Sequence, residues 1–515
     1  MTNLINDGWS FAKLPHGSSY QDALNAPFAP VDLPHDWLIW QKELYETSDG
    51  WYRRTLTVPA DGLVRILRFD GVYMDCDVIL NGRVIRTHRY GYTCFHVDLT
   101  PHLQAGENTL MVHIRFQSPC SRWYSGAGIF RDVALLTLPQ NHIVPDGVYV
   151  HSEPVGDHWQ MHISTETVGE GTVHHRLTDA DGAVVAEGSS PLTIANPHLW
   201  SCETPYLYTL DTTFGTDSVR QRVGLRTIRM DPDEGLFLNG EHIKVHGVCL
   251  HHDLGALGAA FHEKAARRQL RVMQQMGANA IRTAHNPSAR QLMDLCDEMG
   301  LLVMNELYDM WHRPKNPYDN ARFFDEHMEE DVADWVRRDR NHASLLLWSV
   351  GNEIQETLID ADAPDITRRL EHNVYLHDPA KNGRVTLGLN YMPWEAAQKC
   401  VDVIKHGGYN YAEKLYAAHH EKYPDWVIYG SETASLVSSR GVYHFPANTP
   451  ILSDADLQCS SLGNSLTSWG TKDLRKMIVD DLQTPYSMGQ FLWSGIDYLG
   501  EPTPYHTRGS YFGYA

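Results

Sequence analysis

Hydrophobic and polar positions alternate with a period of two through roughly the first 138 residues. In Thr109-Leu-Met-Val-His-Ile-Arg115, Leu110, Val112 and Ile114 share one face while His113 and Arg115 take the other, the pattern of a half-buried strand. Asn81-Gly82 stands between Val78-Ile-Leu80 and Val84-Ile85 as a two-residue hairpin turn. No long helical pattern interrupts this stretch, so residues 1–138 are predicted to form an all-β sandwich. A second β region follows over 139–231. Trp159, Met161 and Ile163 alternate with polar residues, Asp181-Gly182 marks another turn, and Tyr206 to Phe214 reads as a strand. The spacing suits a small immunoglobulin-like sandwich acting as a spacer.

From residue 232 the pattern changes to strands alternating with helices. Ser288 is predicted to cap a helix whose Leu292, Leu295, Cys296 and Met299 fall on one face, and Gly300 ends it before Leu301-Leu-Val-Met304. Gly277 ends the preceding helix in the same way. Apolar strands are expected at 243–248, 279–282, 301–306, 345–349, 384–388, 401–404, 426–430 and 489–494. Eight such repeats over 232–515, with no Gly-x-Gly-x-x-Gly after the first strand, fit a closed (β/α)8 barrel better than an open doubly wound sheet.

Composition narrows the function. The chain has 515 residues, 42% hydrophobic and 21% charged, enough for three or four domains. Its net charge of −21, from 43 basic and 64 acidic residues, is the wrong sign for nucleic acid or anionic lipid. No apolar run is long enough to span a membrane. The eight cysteines are scattered without a CxxC pair, and Met1-Thr-Asn-Leu-Ile-Asn-Asp-Gly-Trp9 lacks a basic region followed by an apolar one, so reduced thiols and a cytoplasmic location are expected. Tyr and Trp together number 39 against 14 Phe, a surplus of rings with a polar handle that suits a wet cleft.

In a barrel the chemistry sits at the C-terminal ends of the strands. Strand four reads Leu345-Leu-Leu-Trp-Ser-Val-Gly-Asn-Glu353, and strand seven reads Trp426-Val-Ile-Tyr-Gly-Ser-Glu432. Either glutamate alone is a common solvated strand end. Both together, with Asn352 beside one, suggest the two carboxylates of glycosidic bond cleavage.

Here the sequence resembles glycoside hydrolase family 2, the β-galactosidases, β-glucuronidases and their relatives. The motifs are Arg282-Thr-Ala-His-Asn-Pro287, Trp348-Ser-Val-Gly-Asn-Glu353 and Gln490-Phe-Leu-Trp-Ser-Gly-Ile-Asp497, with Ser121-Arg-Trp-Tyr-Ser-Gly-Ala-Gly-Ile-Phe-Arg131 in the first sandwich. The resemblance implies a jelly-roll, sugar-binding-like first domain and a retaining exo-β-glycosidase with Glu353 as general acid/base and Glu432 as nucleophile. Asn352 would hydrogen-bond the sugar's 2-hydroxyl. By the same resemblance His285 contacts sugar, Trp493 floors the pocket, Tyr409 lies near the nucleophile and Asp309 binds sugar hydroxyls. A non-catalytic carbohydrate-binding protein on the same scaffold is the alternative from another class, and the presence of both glutamates weighs against it.

His246, His251 and His252 fit no usual structural-zinc spacing. No cofactor is expected to be required. Some members of the family bind Mg²⁺ or Na⁺, with ligands that cannot be assigned here. A uronic acid substrate needs a cation, which family β-glucuronidases supply as Asn-x-Lys downstream of the nucleophile. From Thr433 to Gly470 there is no lysine, and Arg440 is the one fixed cation. Ser431-Glu-Thr-Ala-Ser-Leu-Val-Ser-Ser-Arg-Gly441 resembles the β-galactosidase branch, so a β-galactoside is the expected substrate and a β-glucuronide the alternative. Members often form dimers or tetramers, which leaves a homo-oligomer open. After strand eight the chain runs through Glu501-Pro-Thr-Pro-Tyr505 and Ser510-Tyr-Phe-Gly-Tyr-Ala515 without a patterned eighth helix. The resemblance places a barrel-closing helix beyond this point, so the expectation is a truncated gene product or a fragment.

Overall fold

The computed structural model describes residues 1–41, 44, 46–435, 474–500, 509–510 and 513–515. Arg440 and nearly all of the lysine-free stretch, with the 501–508 loop, lie outside the described residues.

Residues Thr2–Leu138 form two packed antiparallel sheets, one of four strands and one of six. The alternation seen in the sequence is why: Leu110, Val112 and Ile114 point into the interface and are buried. Asn81 and Gly82 both take positive φ, 51° and 81°, and join Cys76–Leu80 to Arg83–His88 as expected. The next domain, His142 to Val223, packs a three-stranded sheet on a four-stranded one around Met161, Ile163, Leu177, Leu210 and Phe214. A three-stranded meander, Ile228–Asp231, Gly235–Leu238 and Glu241–Ile243, then closes the barrel's base, where Leu236 and Leu238 pack with Val245, Met488 and Phe491. Its first strand, Ile228–Asp231, lies just ahead of residue 232.

The barrel is closed. Its strands are Val245–Leu250, Ala280–Thr283, Leu302–Glu306, Leu345–Asn352, Arg384–Leu389, His406–Asn410, Val427–Thr433 and Ser487–Leu492, all parallel, with the first paired to the last through Val245 and Gly489. Among the described residues no helix follows the eighth strand.

Two local expectations are corrected. Val401-Asp-Val-Ile404 is not strand six but the last turn of the helix Glu395–Ile404, whose Ala397, Cys400, Val401 and Ile404 form one buried helical face. Strand six is the next segment, His406-Gly-Gly-Tyr-Asn410. A side chain on Gly408 would come within 2.5 Å of the Leu387 carbonyl oxygen, so the strand is glycine-rich for close packing and shows no apolar run. Ser288 is not a helix cap either. The helix is Arg290–Met299 with Ala289 at its N-cap, while Gly300 ends it in the left-handed region at φ 74° as expected.

The first sandwich docks on the mouth of the barrel through residues 121–131. Asp36 accepts hydrogen bonds from Tyr124 Oη (2.6 Å), Ala127 N (3.1 Å) and, from the barrel, Ala259 N (2.9 Å). Arg131 Nη2 donates to the Pro287 carbonyl at 2.7 Å. Gly126 has φ 66°, and a Cβ there would lie 2.4 Å from that of Ala259, so only glycine permits this approach. No helix among the described residues is long and apolar enough to cross a membrane.

Candidate active site

Strands two, three, four, six and seven bring their ends to one mouth, and Arg282 at the end of strand two is its hub. The guanidinium is fully buried. Nη1 donates to Glu432 Oε2 at 2.7 Å and to the Ser431 carbonyl at 2.8 Å. Nη2 donates to Glu306 Oε1 at 2.9 Å and to Asn352 Oδ1 at 2.7 Å. A buried cation needs such anions around it, and Glu306 and Glu432 supply them.

Glu432 sits near the end of strand seven, beside a register shift between Gly430 and Thr433. Besides Arg282 it accepts a hydrogen bond from Tyr411 Oη at 2.7 Å. His285 Nε2 stands 3.7 Å from Oε2. Burial raises the Glu432 pKa, Arg282 opposes this, and the charge of Glu353 adds to the rise, so the two glutamates feel each other's field.

Glu353 follows strand four with φ 47°. This left-handed turn breaks the strand alternation, so that both Asn352 and Glu353 reach the mouth. Glu353 Oε1 accepts from Asn410 Nδ2 at 3.2 Å, and Oε2 accepts from Arg122 Nη1 at 3.1 Å. Arg122 comes from the first sandwich. Burial alone would raise the Glu353 pKa, but the charges of Arg122 and Lys315, with the Asn410 hydrogen bond, outweigh it and hold it below the ordinary value.

The remaining expected residues divide. Asn352 is buried at the mouth, its Oδ1 shared by Arg282 and Asn410 (3.1 Å) and its Nδ2 donating to Asp309 at 2.8 Å. His285 Nδ1 donates to Glu306 Oε2 at 2.7 Å, which leaves Nε2 toward Glu432. Trp493, just past strand eight, lies parallel to the His285 ring with centroids 5.3 Å apart. Asp309 is at the mouth but only 1% exposed. Its two oxygens accept from Arg122 Nε (2.8 Å) and Nη2 (2.5 Å), Lys315 Nζ (2.9 Å) and Asn352, so it moors these groups at the mouth.

Tyr409 is the clear correction. It points outward from strand six, and its hydroxyl pairs with His419 Nδ1 at 2.9 Å. The tyrosine on the carboxylate is Tyr411, which the left-handed backbone at φ 53° turns into the mouth after Asn410. We expect Tyr411→Phe to lower kcat/KM by about 10- to 100-fold, the worth of a hydrogen bond to a charged group. Tyr409→Phe should leave kcat/KM unchanged and cost about 1 kcal/mol in denaturant unfolding.

The reading of residues alone missed Arg122, Arg282, Glu306, Lys315, Asn410 and Tyr411. Arg282 carried a usable signal, a charged residue at the end of an apolar strand. Lys315, which also donates to the Asn352 carbonyl at 2.9 Å, carried none. His251 Nδ1 and His252 Nε2 donate to the carbonyls of Ala284 (2.8 Å) and Ser125 (3.1 Å), and His246 is exposed on strand one. Among the described residues, Cys94, His96 and Asp146 lie close enough together to share a metal ion, but the Arg290 guanidinium already meets the Asp146 charge at 3.0 Å.

A sandwich-buttressed TIM barrel with paired acidic side chains at its mouth is the class that fold and site define. The sequence matches "Glycosyl hydrolases family 2, sugar binding domain" over residues 28–139, "Glycosyl hydrolases family 2" over 150–226 and "Glycosyl hydrolases family 2, TIM barrel domain" over 230–382. The chain belongs to glycosyl hydrolase family 2. It is 36% identical to the beta-galactosidase BoGH2A of Bacteroides ovatus, over 94% of this chain and 66% of that protein. It is 30% identical to a beta-glucuronidase of Bacteroides fragilis, over 68% of this chain and 56% of that protein. The crystal structure of a beta-glycosidase from Bacteroides vulgatus superposes with a TM-score of 0.86 at 28% identity, covering all of this chain and 72% of the other. The chain thus spans under two thirds of the length of these two named sequence relatives.

Proposed function

We propose that the protein is a retaining exo-β-glycosidase that hydrolyses terminal β-D-galactosides. The observation that carries this reading is the pair Glu353 and Glu432 at the ends of strands four and seven, held by separate arginines. Glu432 attacks the anomeric carbon as Glu353 gives its proton to the leaving oxygen, forming a covalent glycosyl-enzyme. Glu353 then takes a proton from the water that releases the sugar. Tyr411 and Arg282 each donate to Glu432 and favour its anionic form.

For the sugar, the 36% identity to a protein named a beta-galactosidase supports a neutral hexose. So does the state of the two cations at the mouth. Lys315 and Arg122 are both committed to Asp309, with Asn352 and Glu353 as their further partners. A uronic acid carboxylate would have to compete with these bonds. The relatives named beta-glucuronidases favour β-glucuronide as the second reading. We expect nitrophenyl β-galactoside to be turned over and the β-glucuronide to be poor; turnover of the glucuronide alone would reverse the choice. This reading keeps the protein in the cytoplasm, where its seven described cysteines, all free thiols, stay reduced.

A further inference from the structure

We propose that Arg122 is a removable counter-ion of Glu353, moored on Asp309, whose charge competes with the catalytic proton for the carboxylate. The proposal rests on the acid/base role given above to Glu353. Its geometric basis is an asymmetry. Arg122 makes two bonds to Asp309, from Nε at 2.8 Å and Nη2 at 2.5 Å, but only one to Glu353, from Nη1 at 3.1 Å. Asp309 is itself fixed by Lys315 and by Asn352. The bond to Glu353 is therefore the one that breaks first when a ligand enters, and the guanidinium keeps its carboxylate partner when it does. Arg122 is also the more accessible partner, its side chain 25% exposed against 1% for Asp309.

The two oxygens of Glu353 are not equivalent. Asn410 Nδ2 covers Oε1, and Arg122 covers Oε2. The Arg122 charge favours the carboxylate and opposes its proton, whereas the neutral Asn410 amide carries no net charge to do so. In the first step the C–O bond to the leaving group breaks with its electron pair going to that oxygen. The proton on Glu353 moves to the same oxygen, and Glu432 bonds to the anomeric carbon. Displacing Arg122 favours that step, because it removes the charge that opposes the proton. In the second step a water oxygen bonds to the anomeric carbon, its proton goes to Glu353, and the bond to Glu432 breaks. That step starts from the carboxylate that Arg122 stabilises. An arginine supplied by the sandwich thus gives one glutamate two states during a cycle, and the sandwich is part of the barrel's chemistry.

The experiment compares wild type with Arg122→Gln and Arg122→Lys. The titration of Glu353 is read directly from the carboxyl infrared bands of ¹³C-glutamate-labelled protein, with Glu353→Gln as the subtraction control. Circular dichroism confirms that each variant is folded. Removing a neighbouring positive charge should raise the pH at which Glu353 loses its proton by about 1–3 units in Arg122→Gln. Arg122→Lys, which keeps a cation on Asp309, should lie nearer the wild type. The limb of the kcat/KM profile on which Glu353 deprotonates should move upward by the same amount in Arg122→Gln. A purely structural arginine would lower turnover without moving either the limb or the band. An unmoved band in folded Arg122→Gln overturns the proposal, whether or not a glycoside is turned over. Lack of turnover on every nitrophenyl glycoside with a shifted band would defeat the glycosidase reading and leave the counter-ion standing.

Discussion

Glu432→Ala should reduce turnover by about 10⁴-fold or more, the scale on which loss of a nucleophile costs a covalent mechanism. The expectation follows from position. The carboxylate is 5% exposed, receives donors on both oxygens from Tyr411 and Arg282, and lies under the field of Glu353, so no second carboxylate can take its place without rearranging the Arg282 hub. The variant should nevertheless fold. Arg282 keeps Glu306 at 2.9 Å, the Ser431 carbonyl and Asn352, so its buried charge is not left without a partner. The loss is then chemical, and two measurements check it. Azide, small enough for the space vacated by the carboxylate, should restore product formation from an activated glycoside and give a glycosyl azide of inverted anomeric configuration. A slow-reacting fluoroglycoside should label wild-type protein on the peptide containing Glu432 and leave the alanine variant unlabelled. Turnover within about tenfold of wild type would remove Glu432 from the mechanism.

The architecture was legible where burial and period coincide. Barrel strands buried on both faces read as apolar runs, as Leu345 to Val350 does, and the sandwiches read by alternation. Strand six escaped because its packing demands glycine: Gly407 and Gly408 remove the apolar signal, and the adjacent helical turn ending at Val401 and Ile404 imitates a short strand. The one-step misplacement of the tyrosine has a related cause. Asn410 and Tyr411 both face the mouth only because Tyr411 leaves the extended region, and a period-two reading cannot register such a turn. Glu353 has the same left-handed turn, yet its position at the end of a long apolar strand made it visible. What no local pattern can carry is pairing across domains. Arg122 lies 187 residues from Asp309 and 231 from Glu353, and it reads as one basic residue in a loop until the docking of residues 121–131 brings it to the barrel. The carboxylates were legible from the ends of their strands, while the cations that set their charge come from elements whose meeting is a property of the packed molecule.

Glu353→Gln should separate substrates by the quality of their leaving group. The amide preserves shape and can still accept from Asn410, but it has no proton to give and no basic oxygen to receive one. Alkyl glycosides and disaccharides, whose leaving oxygen must be protonated as the bond breaks, should lose about 10²–10⁴-fold in kcat/KM. Dinitrophenyl glycosides leave as stable anions, so the kcat/KM that reports the first step should stay close to wild type. Their kcat should still fall, because water attack on the glycosyl-enzyme lacks its base; KM should fall with it as the covalent intermediate accumulates. Azide, which needs no base, should restore kcat and give the product of retained configuration, opposite to that expected of Glu432→Ala. The pH profile adds an independent sign. In wild type, kcat/KM for a poor leaving group should decline as pH rises through the Glu353 pKa, because the acid form is being lost; in Glu353→Gln that limb should vanish. Equal losses on alkyl and dinitrophenyl glycosides, with the limb intact, would show that the proton comes from another group. The site offers few candidates for that role, since Asp309 is held strongly acidic by Arg122 and Lys315 despite its burial, and Glu306 is held anionic by Arg282 and His285.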